Sequence, residues 1–232
     1  MAKRGKAYLK KLESVDVEKL YTMDEAVALL KEMPKTKFDE SVEVAIRLGV
    51  DTRKNDQNVR GTVALPNGTG KDVCVVVIAD GEAAEAARAA EADHVGFEDI
   101  MEKIEGGWLD FDIVIATPST MQKLRKLARI LGPRGLMPNP KSGTLTEDTG
   151  AAVKSAKAGR VEFRADKFGI THVPVGRVSF EASALVENTD AVFQSILRAK
   201  PASTKGDYLL GCSISSTMSP GIKLDLKQIV RK

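Results

Sequence analysis

Two kinds of apolar pattern occur in this chain, and they occupy different parts of it. Apolar and polar residues alternate from Val42 to Val50 and from Tyr208 to Ile214, which is typical of strands with one buried face. Residues 73–79 form an unbroken apolar run and residues 112–116 are mostly apolar, as in strands covered on both faces. The two ends therefore predict an antiparallel α+β arrangement, and the middle predicts a parallel α/β arrangement.

The two patterns meet at segments that contain glycine and proline. Pro66 to Gly70 interrupts the chain before the first unbroken run, and Gly159 is the stop signal of the last helix predicted in the middle. We therefore predict a two-layer α+β end domain formed by both termini, residues 1–66 and 160–232. Residues 67–159 are predicted to form an inserted three-layer, Rossmann-like α/β domain, with a hinge where the chain crosses.

The two ends carry further local signals. Thr22 and Glu25 form a capping box, which predicts the start of a helix. Residues 160–178 and 208–226 each contain two alternating runs around a turn, which predicts two β-hairpins. Residues 1–15 hold five lysines and arginines among few apolar residues, so we predict a flexible basic arm.

Charge is distributed unevenly between the predicted domains. Residues 67–159 hold 11 Lys and Arg against 14 Asp and Glu, a balance of −3, whereas the whole chain carries +3. The remaining residues therefore carry 24 Lys and Arg against 18 Asp and Glu, a balance of +6. This asymmetry favours a polyanionic partner for the end domain.

The central segment lacks the usual signatures of nucleotide binding. Asn67 to Lys71 superficially resembles a phosphate-binding loop, but Asp72 and a strand follow the lysine, where the motif needs Ser or Thr and a helix. The strand at 73–79 is followed by Asp-Gly-Glu-Ala, with one glycine instead of the glycine-rich fingerprint of dinucleotide-binding folds. We therefore predict that the chain is not an enzyme.

Histidines and cysteines are too few and too scattered to indicate a metal site. His94 and His172 fall in different predicted domains, and no Cys/His spacing fits zinc. Cys74 and Cys212 lie in apolar runs, which favours reduced thiols in a cytosolic protein over a disulfide. We expect no cofactor. The N-terminus lacks the features of a secretory signal, and no apolar run is long enough for a membrane span.

Cations and two apolar side chains near turns are the candidates for contact with RNA. Phe38 stands between polar runs, where its ring could stack on a base or ribose; the alternative is packing under the first helix. Met218 lies in a turn whose hydroxyls can contact phosphate and sugar, although an ordinary solvated turn is the alternative. Basic residues of the ends could contact phosphates, among them Lys37, Arg53, Lys54, Arg164 and Lys167.

Three motifs resemble those of a known family. They are Leu-Gly-Pro-Arg-Gly-Leu-Met-Pro-Asn-Pro-Lys at 131–141, Lys-Phe-Asp-Glu-Ser-Val-Glu at 37–43, and Ser-Thr-Met at 216–218, shortly before Pro220 and Gly221. The chain resembles the L1 family of bacterial large-subunit ribosomal proteins along essentially its whole length. The resemblance implies an RNA-binding domain made of both termini, an inserted α/β domain and no enzymatic activity.

The resemblance also implies partners and a location. Members of the family belong to the mobile lateral stalk, beside the site from which deacylated tRNA leaves the ribosome. They also repress translation of their own messenger RNA by binding a mimic of the ribosomal site. The expected partners are therefore large-subunit ribosomal RNA, deacylated tRNA in the exit site and the chain's own messenger RNA. The expected location is the cytoplasmic ribosome, without contact with a membrane.

The resemblance and the basic residues together define a predicted RNA-binding set. Its members are Lys37, Phe38, Glu40, Arg53, Lys54, Arg164, Lys167, Ser216, Thr217, Met218, Ser219 and Gly221. A carboxylate is an unfavourable phosphate contact, so Glu40 is expected to accept a hydrogen bond from a 2′-hydroxyl or a base amine. The family usually has glycine where Ser219 stands, so either this turn is not left-handed or the affinity is modified.

Two other classes of function stay open on the sequence. A small-molecule enzyme that uses the segment 73–116 would be indicated by a copurifying nucleotide, or by turnover that is lost when Asp80 is changed. An adaptor that binds only protein would be indicated by failure to shift any RNA.

Overall fold

The computed structural model describes residues 5–34 and 36–227, and the chain divides into two compact units. Unit 1 consists of the chain up to Gly70 and from Val161 onward, and unit 2 is Lys71–Arg160. Residues 67–70 therefore pack with unit 1, although the sequence assigned them to the inserted segment.

Asn188 explains why the first boundary between the units lies after Gly70. Its side chain is completely buried and binds the crossing segment at two points. Asn188 Oδ1 accepts from the Asn67 N–H at 3.0 Å, and its Nδ2 donates to the Gly68 carbonyl at 3.0 Å. The same Nδ2 donates to the Val175 carbonyl at 2.8 Å. The chain thus stays fixed to unit 1 after the point where the sequence predicts a break.

The described residues form helices and strands in the following order along the chain. The helices are α1 (Lys6–Glu13), α2 (Met23–Glu32), α3 (Gly81–Ala89), α4 (Glu98–Glu105), α5 (Pro118–Leu124), α6 (Ala128–Leu131), α7 (Thr149–Lys157) and α8 (Ala182–Arg198). The strands are β1 (Ser41–Leu48), β2 (Arg60–Ala64), β3 (Val75–Ile78), β4 (His94–Gly96), β5 (Ile113–Ala116), β6 (Arg160–Arg164), β7 (Ile170–Arg177), β8 (Leu209–Ser216) and β9 (Ile222–Lys223). Short 3₁₀ turns occupy Asn55–Gln57, Arg125–Leu127 and Pro140–Ser142.

Unit 1 contains a four-stranded antiparallel sheet in the order β7-β1-β8-β9. In its middle, Val44 of β1 is opposite Val173 of β7 and Ile214 of β8, and all three are buried in one core with α2 and α8. Buried and more exposed residues alternate through β1, which confirms the pattern read from the sequence. The predicted hairpin at 208–226 is confirmed as β8 and a shorter β9.

The other predicted hairpin, at residues 160–178, is wrong in its pairing. β6 pairs with β2 in a separate two-stranded sheet, whereas β7 is an edge strand next to β1. A single bridge between Ala165 and Thr171 joins the two arms, and the chain changes sheet at the turn that begins with Asp166. Alternation identifies a strand but not its partner. Pro174, which has no N–H to donate, lies on this edge strand beside a register shift.

The predicted flexible basic arm contains helix α1 instead. Lys11 of this helix is buried, and its Nζ donates to Glu40 Oε1 at 2.9 Å. Glu40 lies 29 residues after Lys11, so the local sequence does not show that Lys11 is paired and buried. The number of lysines therefore led to the wrong prediction of a flexible arm. Residues 1–4 of the predicted arm lie outside the described residues. The predicted capping box of α2 is confirmed, since Thr22 and Glu25 each accept the other's backbone N–H at 3.2 Å.

Unit 2 contains a parallel sheet in the order β4-β3-β5. All four residues of β3 are fully buried. Val75 and Val77 pack with α3 and α7, whereas Val76 and Ile78 pack with α4, α5 and α6. This confirms the prediction of a strand covered on both faces. Between Pro118 and Leu131 the helical chain is divided into α5 and α6, and α5 begins at Pro118 because proline suits the first helical position.

The fold therefore combines a parallel and an antiparallel sheet, each packed against helices, as the mixed pattern of the sequence predicted. No helix within the described ranges is long and apolar enough to cross a membrane.

Candidate nucleic-acid interface

The start of β1 meets the turn between β8 and β9. The Ser41 N–H donates to Thr217 Oγ1 at 3.1 Å, and the Thr217 N–H donates to the Ser41 carbonyl at 3.0 Å. Phe38 and Met218 are 54% and 53% exposed there, unlike most large apolar side chains of the unit. We call Lys37, Phe38, Thr217 and Met218, all exposed, the Phe38 surface.

Asp39, in the loop before β1, anchors this loop to Ser179. Asp39 Oδ2 accepts from Ser179 Oγ at 2.7 Å, and Asp39 Oδ1 accepts from the Ser179 N–H at 3.1 Å. Phe38 lines an open cavity of about 250 Å³ together with Leu30 and Met33, at the end of α2. Phe38 is 54% exposed, so its ring lies beside the helix that the capping box predicted without being buried under it.

Glu40 does not occupy the position expected of a direct RNA contact. Only 4% of the residue is exposed, and its carboxylate accepts from Lys11 Nζ (2.9 Å), Ser216 Oγ (2.6 Å) and the Met218 N–H (2.9 Å). Ser216 is buried as well. The expectation that Glu40 and the Ser216 hydroxyl bind RNA is thus corrected, because both groups bind within the protein.

These contacts set the protonation of Glu40. Burial alone would raise the pKa of its carboxyl group, but the opposing contributions are larger in sum. Hydrogen bonds from Ser216, Lys11 and the Met218 N–H, together with the positive charge of Lys11, lower the pKa below its usual value of 4.5. The carboxylate is therefore anionic at neutral pH.

Ser219 resolves the question raised by the missing glycine. Glu91 is the sole non-glycine residue with positive φ in the described part of the chain, so Ser219 is not left-handed. Its hydroxyl oxygen accepts from the Ser216 N–H at 2.8 Å and thereby closes the turn. Gly221 also has no positive φ, and an added Cβ would meet nothing closer than Ser213 Cβ at 3.8 Å. Neither position therefore requires glycine.

The other predicted residues lie at the opposite end of β1. The loop that carries Arg53 and Lys54 follows β1, and Thr52 Oγ1 donates to the Lys167 carbonyl at 2.8 Å. β1 spans eight residues, so about 23 Å separates its two ends. The predicted set is thus divided into two groups. Arg164 is exposed on β6 just before the bridge to β7, and it lies toward the second group.

Sequence reasoning missed Phe168, which is 81% exposed. It lies in a turn closed by the Gly169 N–H, which donates to the Asp166 carbonyl at 3.1 Å. Gly169 has φ of +75°, which favours glycine. The sequence predicts a turn between the two alternating runs of residues 160–178, and an aromatic residue at that turn was the available signal. We call Arg53, Lys54, Lys167 and Phe168, all exposed, the Phe168 surface.

Unit 2 shows no arrangement typical of a nucleotide site. Lys71 forms an ion pair with Asp112 and leads toward β3, so its segment does not have the strand-loop-helix order of a phosphate loop. Across residues 5–34 and 36–227, no group of three or more His, Cys, Asp or Glu could hold a metal ion.

Comparison with known proteins identifies the family. The model of the "Ribosomal protein L1p/L10e family" matches residues 30–220, well over half of the chain. The chain belongs to this ribosomal protein family. Similar proteins include the large ribosomal subunit protein uL1 of Lactobacillus acidophilus, 54% identical over 225 residues, which cover 97% of this chain and 98% of that protein. The uL1 protein of Lactobacillus delbrueckii subsp. bulgaricus is 52% identical over 225 residues, 97% of each chain. The motifs therefore predicted the family correctly.

The most distinctive L1-family motif, at 131–141, lies in unit 2 and is held by side-chain hydrogen bonds. Asn139 Oδ1 accepts from the Lys141 N–H at 2.8 Å, and Thr144 Oγ1 accepts from the Asn139 N–H at 2.9 Å. Ser142 Oγ donates to the Asn139 carbonyl at 3.1 Å. These side-chain bonds shape the end of the motif, whereas two backbone bonds hold its beginning: the Gly135 N–H donates to the Gly132 carbonyl and the Leu136 N–H to the Leu131 carbonyl, each at 3.0 Å.

Proposed function

We propose that this L1-family protein is a structural component of the large ribosomal subunit and that unit 1 binds large-subunit ribosomal RNA at the mobile lateral stalk, on the cytoplasmic ribosome. Unit 1 would be the two-layer α+β RNA-binding domain, and unit 2 the three-layer, Rossmann-like insertion. The observation that carries the proposal is the exposure of Phe38 and Met218 on a common edge, next to Lys37 and Thr217.

The chemistry of the Phe38 surface suits folded RNA. Phe38 offers an aromatic face on which an unpaired base or a ribose can stack, and Met218 offers a second apolar contact. Thr217 presents a hydroxyl that can bind phosphate or a 2′-hydroxyl, and Lys37 neutralises phosphate charge. No feature of this surface reads a long base sequence, so recognition should depend mainly on the shape of the RNA.

The Phe168 surface would contact a second RNA. Its three cations and exposed aromatic ring repeat the chemistry of the Phe38 surface about 23 Å away, at the other end of β1. We assign deacylated tRNA in the exit site to this surface, which would let the protein hold ribosomal RNA and aid tRNA release at once.

The chain's own messenger RNA would use the Phe38 surface. A messenger that mimics the ribosomal site must compete with ribosomal RNA for the same side chains, so repression would occur only when free protein exceeds ribosomal sites. Competition between the two RNAs is therefore part of the proposal.

A binding assay with the full chain tests the assignment. The RNA is a transcript of the large-subunit stalk region, titrated at several salt concentrations. Stacking of one base contributes about 1–3 kcal/mol, so Phe38→Ala should weaken binding about tenfold or more, and Met218→Ala should weaken it further. Affinity should fall with salt because bound lysines and arginines release counterions.

Phe168→Ala is the matched control, since it removes another exposed phenylalanine ring from the same unit. It should leave affinity for the stalk transcript unchanged and should weaken binding of deacylated tRNA. Binding of the stalk transcript that is indifferent both to salt and to the combined Phe38→Ala and Met218→Ala change would refute the proposed mechanism.

A further inference from the structure

Glu40 and Lys11 suggest how the Phe38 surface acquires its shape. We propose that this buried ion pair is a positioning device, which holds the turn Ser216–Ser219 in the form that binds RNA. Helix α1 thereby becomes part of the RNA site although Lys11 itself is buried. The inference rests on the proposed RNA-binding function. Lys11 and Glu40 would not contact RNA themselves but would position residues that do.

Glu40 connects parts of the chain that are distant in sequence. Lys11 lies 29 residues before it, whereas Ser216 and Met218 lie 176 and 178 residues after it. One carboxylate oxygen receives Lys11, and the other receives both donors of the turn. Because Phe38 is two residues before Glu40, this side chain links the segment that carries Phe38 to the turn that carries Met218.

Met218 connects these hydrogen bonds with the binding of RNA at the Phe38 surface. Its backbone N–H is bound to Glu40, while the residue is 53% exposed. The neighbouring Thr217 is exposed too, and its backbone is paired with Ser41. Hydrogen bonds thus constrain the backbone of two exposed residues.

Only an ionised carboxylate satisfies these three donors. An amide of the same shape has one acceptor oxygen and an NH₂ group that donates, so Gln at position 40 would direct a donor at either Lys11 or the turn. Buried ion pairs contribute little net stability compared with apolar residues, but their geometry can specify one conformation. Lys11 and Glu40, 3% and 4% exposed, are such a pair.

The test compares Glu40→Gln with Glu18→Gln in the full chain, using the stalk transcript as the ligand. Glu18 is exposed and in the same unit, so both variants remove one negative charge. General electrostatics predicts equal or slightly tighter binding of RNA in both cases. The positioning role instead predicts that Glu40→Gln binds the transcript about tenfold more weakly than the wild type, whereas Glu18→Gln binds it as tightly as the wild type.

Two further measurements separate positioning from loss of folding and from direct contact. Amide hydrogen exchange at 216–219, without RNA, should accelerate in Glu40→Gln, while exchange in β1 stays slow. Met218→Ala should weaken binding less in the Glu40→Gln background than in the wild type, because the side chain is already misplaced. Should Glu40→Gln fail to fold, Ser216→Ala removes one donor and should show the same two effects on a smaller scale.

The outcomes distinguish failure of the positioning role from failure of the proposed function. Wild-type affinity in Glu40→Gln, or additive effects of Glu40→Gln and Met218→Ala, would overturn the positioning role and leave the proposed function intact. Absence of binding by the wild-type chain would refute the proposed function itself.

Discussion

Asn188 provides a test of how unit 1 binds residues 67 and 68, which lead toward unit 2. Its completely buried side chain accepts from the Asn67 N–H and donates to the carbonyls of Gly68 and Val175. Replacing Asn188 by Leu keeps a side chain of similar size and removes all three hydrogen bonds. The substitution therefore isolates the polar contribution from the packing.

The expected loss follows from the number of bonds. A buried hydrogen bond contributes about 1 kcal/mol net, so three lost bonds should lower the free energy of unfolding by about 3 kcal/mol. The contribution at Val175 should be at the upper end, because that residue is buried and water cannot easily replace the lost donor.

Urea unfolding followed by circular dichroism measures the loss. With an m-value of about 2 kcal/mol/M, the midpoint should fall by about 1.5 M. Trp108, the single tryptophan of the chain, belongs to unit 2, and its fluorescence provides a separate reference for that unit. Asn58→Leu, at an exposed residue of unit 1, is the control and should change stability by no more than about 0.5 kcal/mol. A midpoint for Asn188→Leu equal to that of Asn58→Leu would refute the reasoning.

Two further predictions concern acid stability and backbone conformation. The pKa of Glu40 is lower in the folded than in the unfolded chain, so its stabilisation is present above its usual pKa of 4.5 and is lost as pH falls through the lowered value. Urea midpoints measured from pH 6 downward should therefore fall less steeply in Glu40→Gln than in the wild type, and equal slopes would contradict this. Gly169→Ala should destabilise by about 1–3 kcal/mol, since φ is +75° and the new Cβ would lie 3.0 Å from the Leu48 carbonyl oxygen. The control is Gly211→Ala, because φ there is not positive and a Cβ would meet nothing within 4 Å. This control should lower stability only slightly. Similar shifts in melting temperature for both variants would contradict the explanation.

Local patterns predicted most of the elements, because they depend on which face of a strand or helix is buried. The alternation in β1 and the unbroken run in β3 were each sufficient to predict a strand and the kind of sheet around it. The pairing of β6 was not predictable in this way. Its pattern fits any partner, and the choice of β2 over β7 depends on where the turn at Asp166 directs the chain.

The candidate site was predictable only in part, for a related reason. Phe38 and Met218 could be selected because exposed apolar residues beside turns are unusual. The burial of Lys11 and Glu40 depends on contacts between residues far apart in sequence, and a charged residue gives no sign that it is internal. The separation of Arg53 and Lys167 from Phe38 likewise follows from the length of β1, which only the sheet register reveals.

β1 is hydrogen-bonded to a neighbouring strand on each side, and the two ladders limit how far it can shorten or bend. Two RNA molecules bound at its ends, as proposed above, would therefore be held at a nearly constant spacing. Displacement of one molecule would be transmitted to the other as a rigid movement.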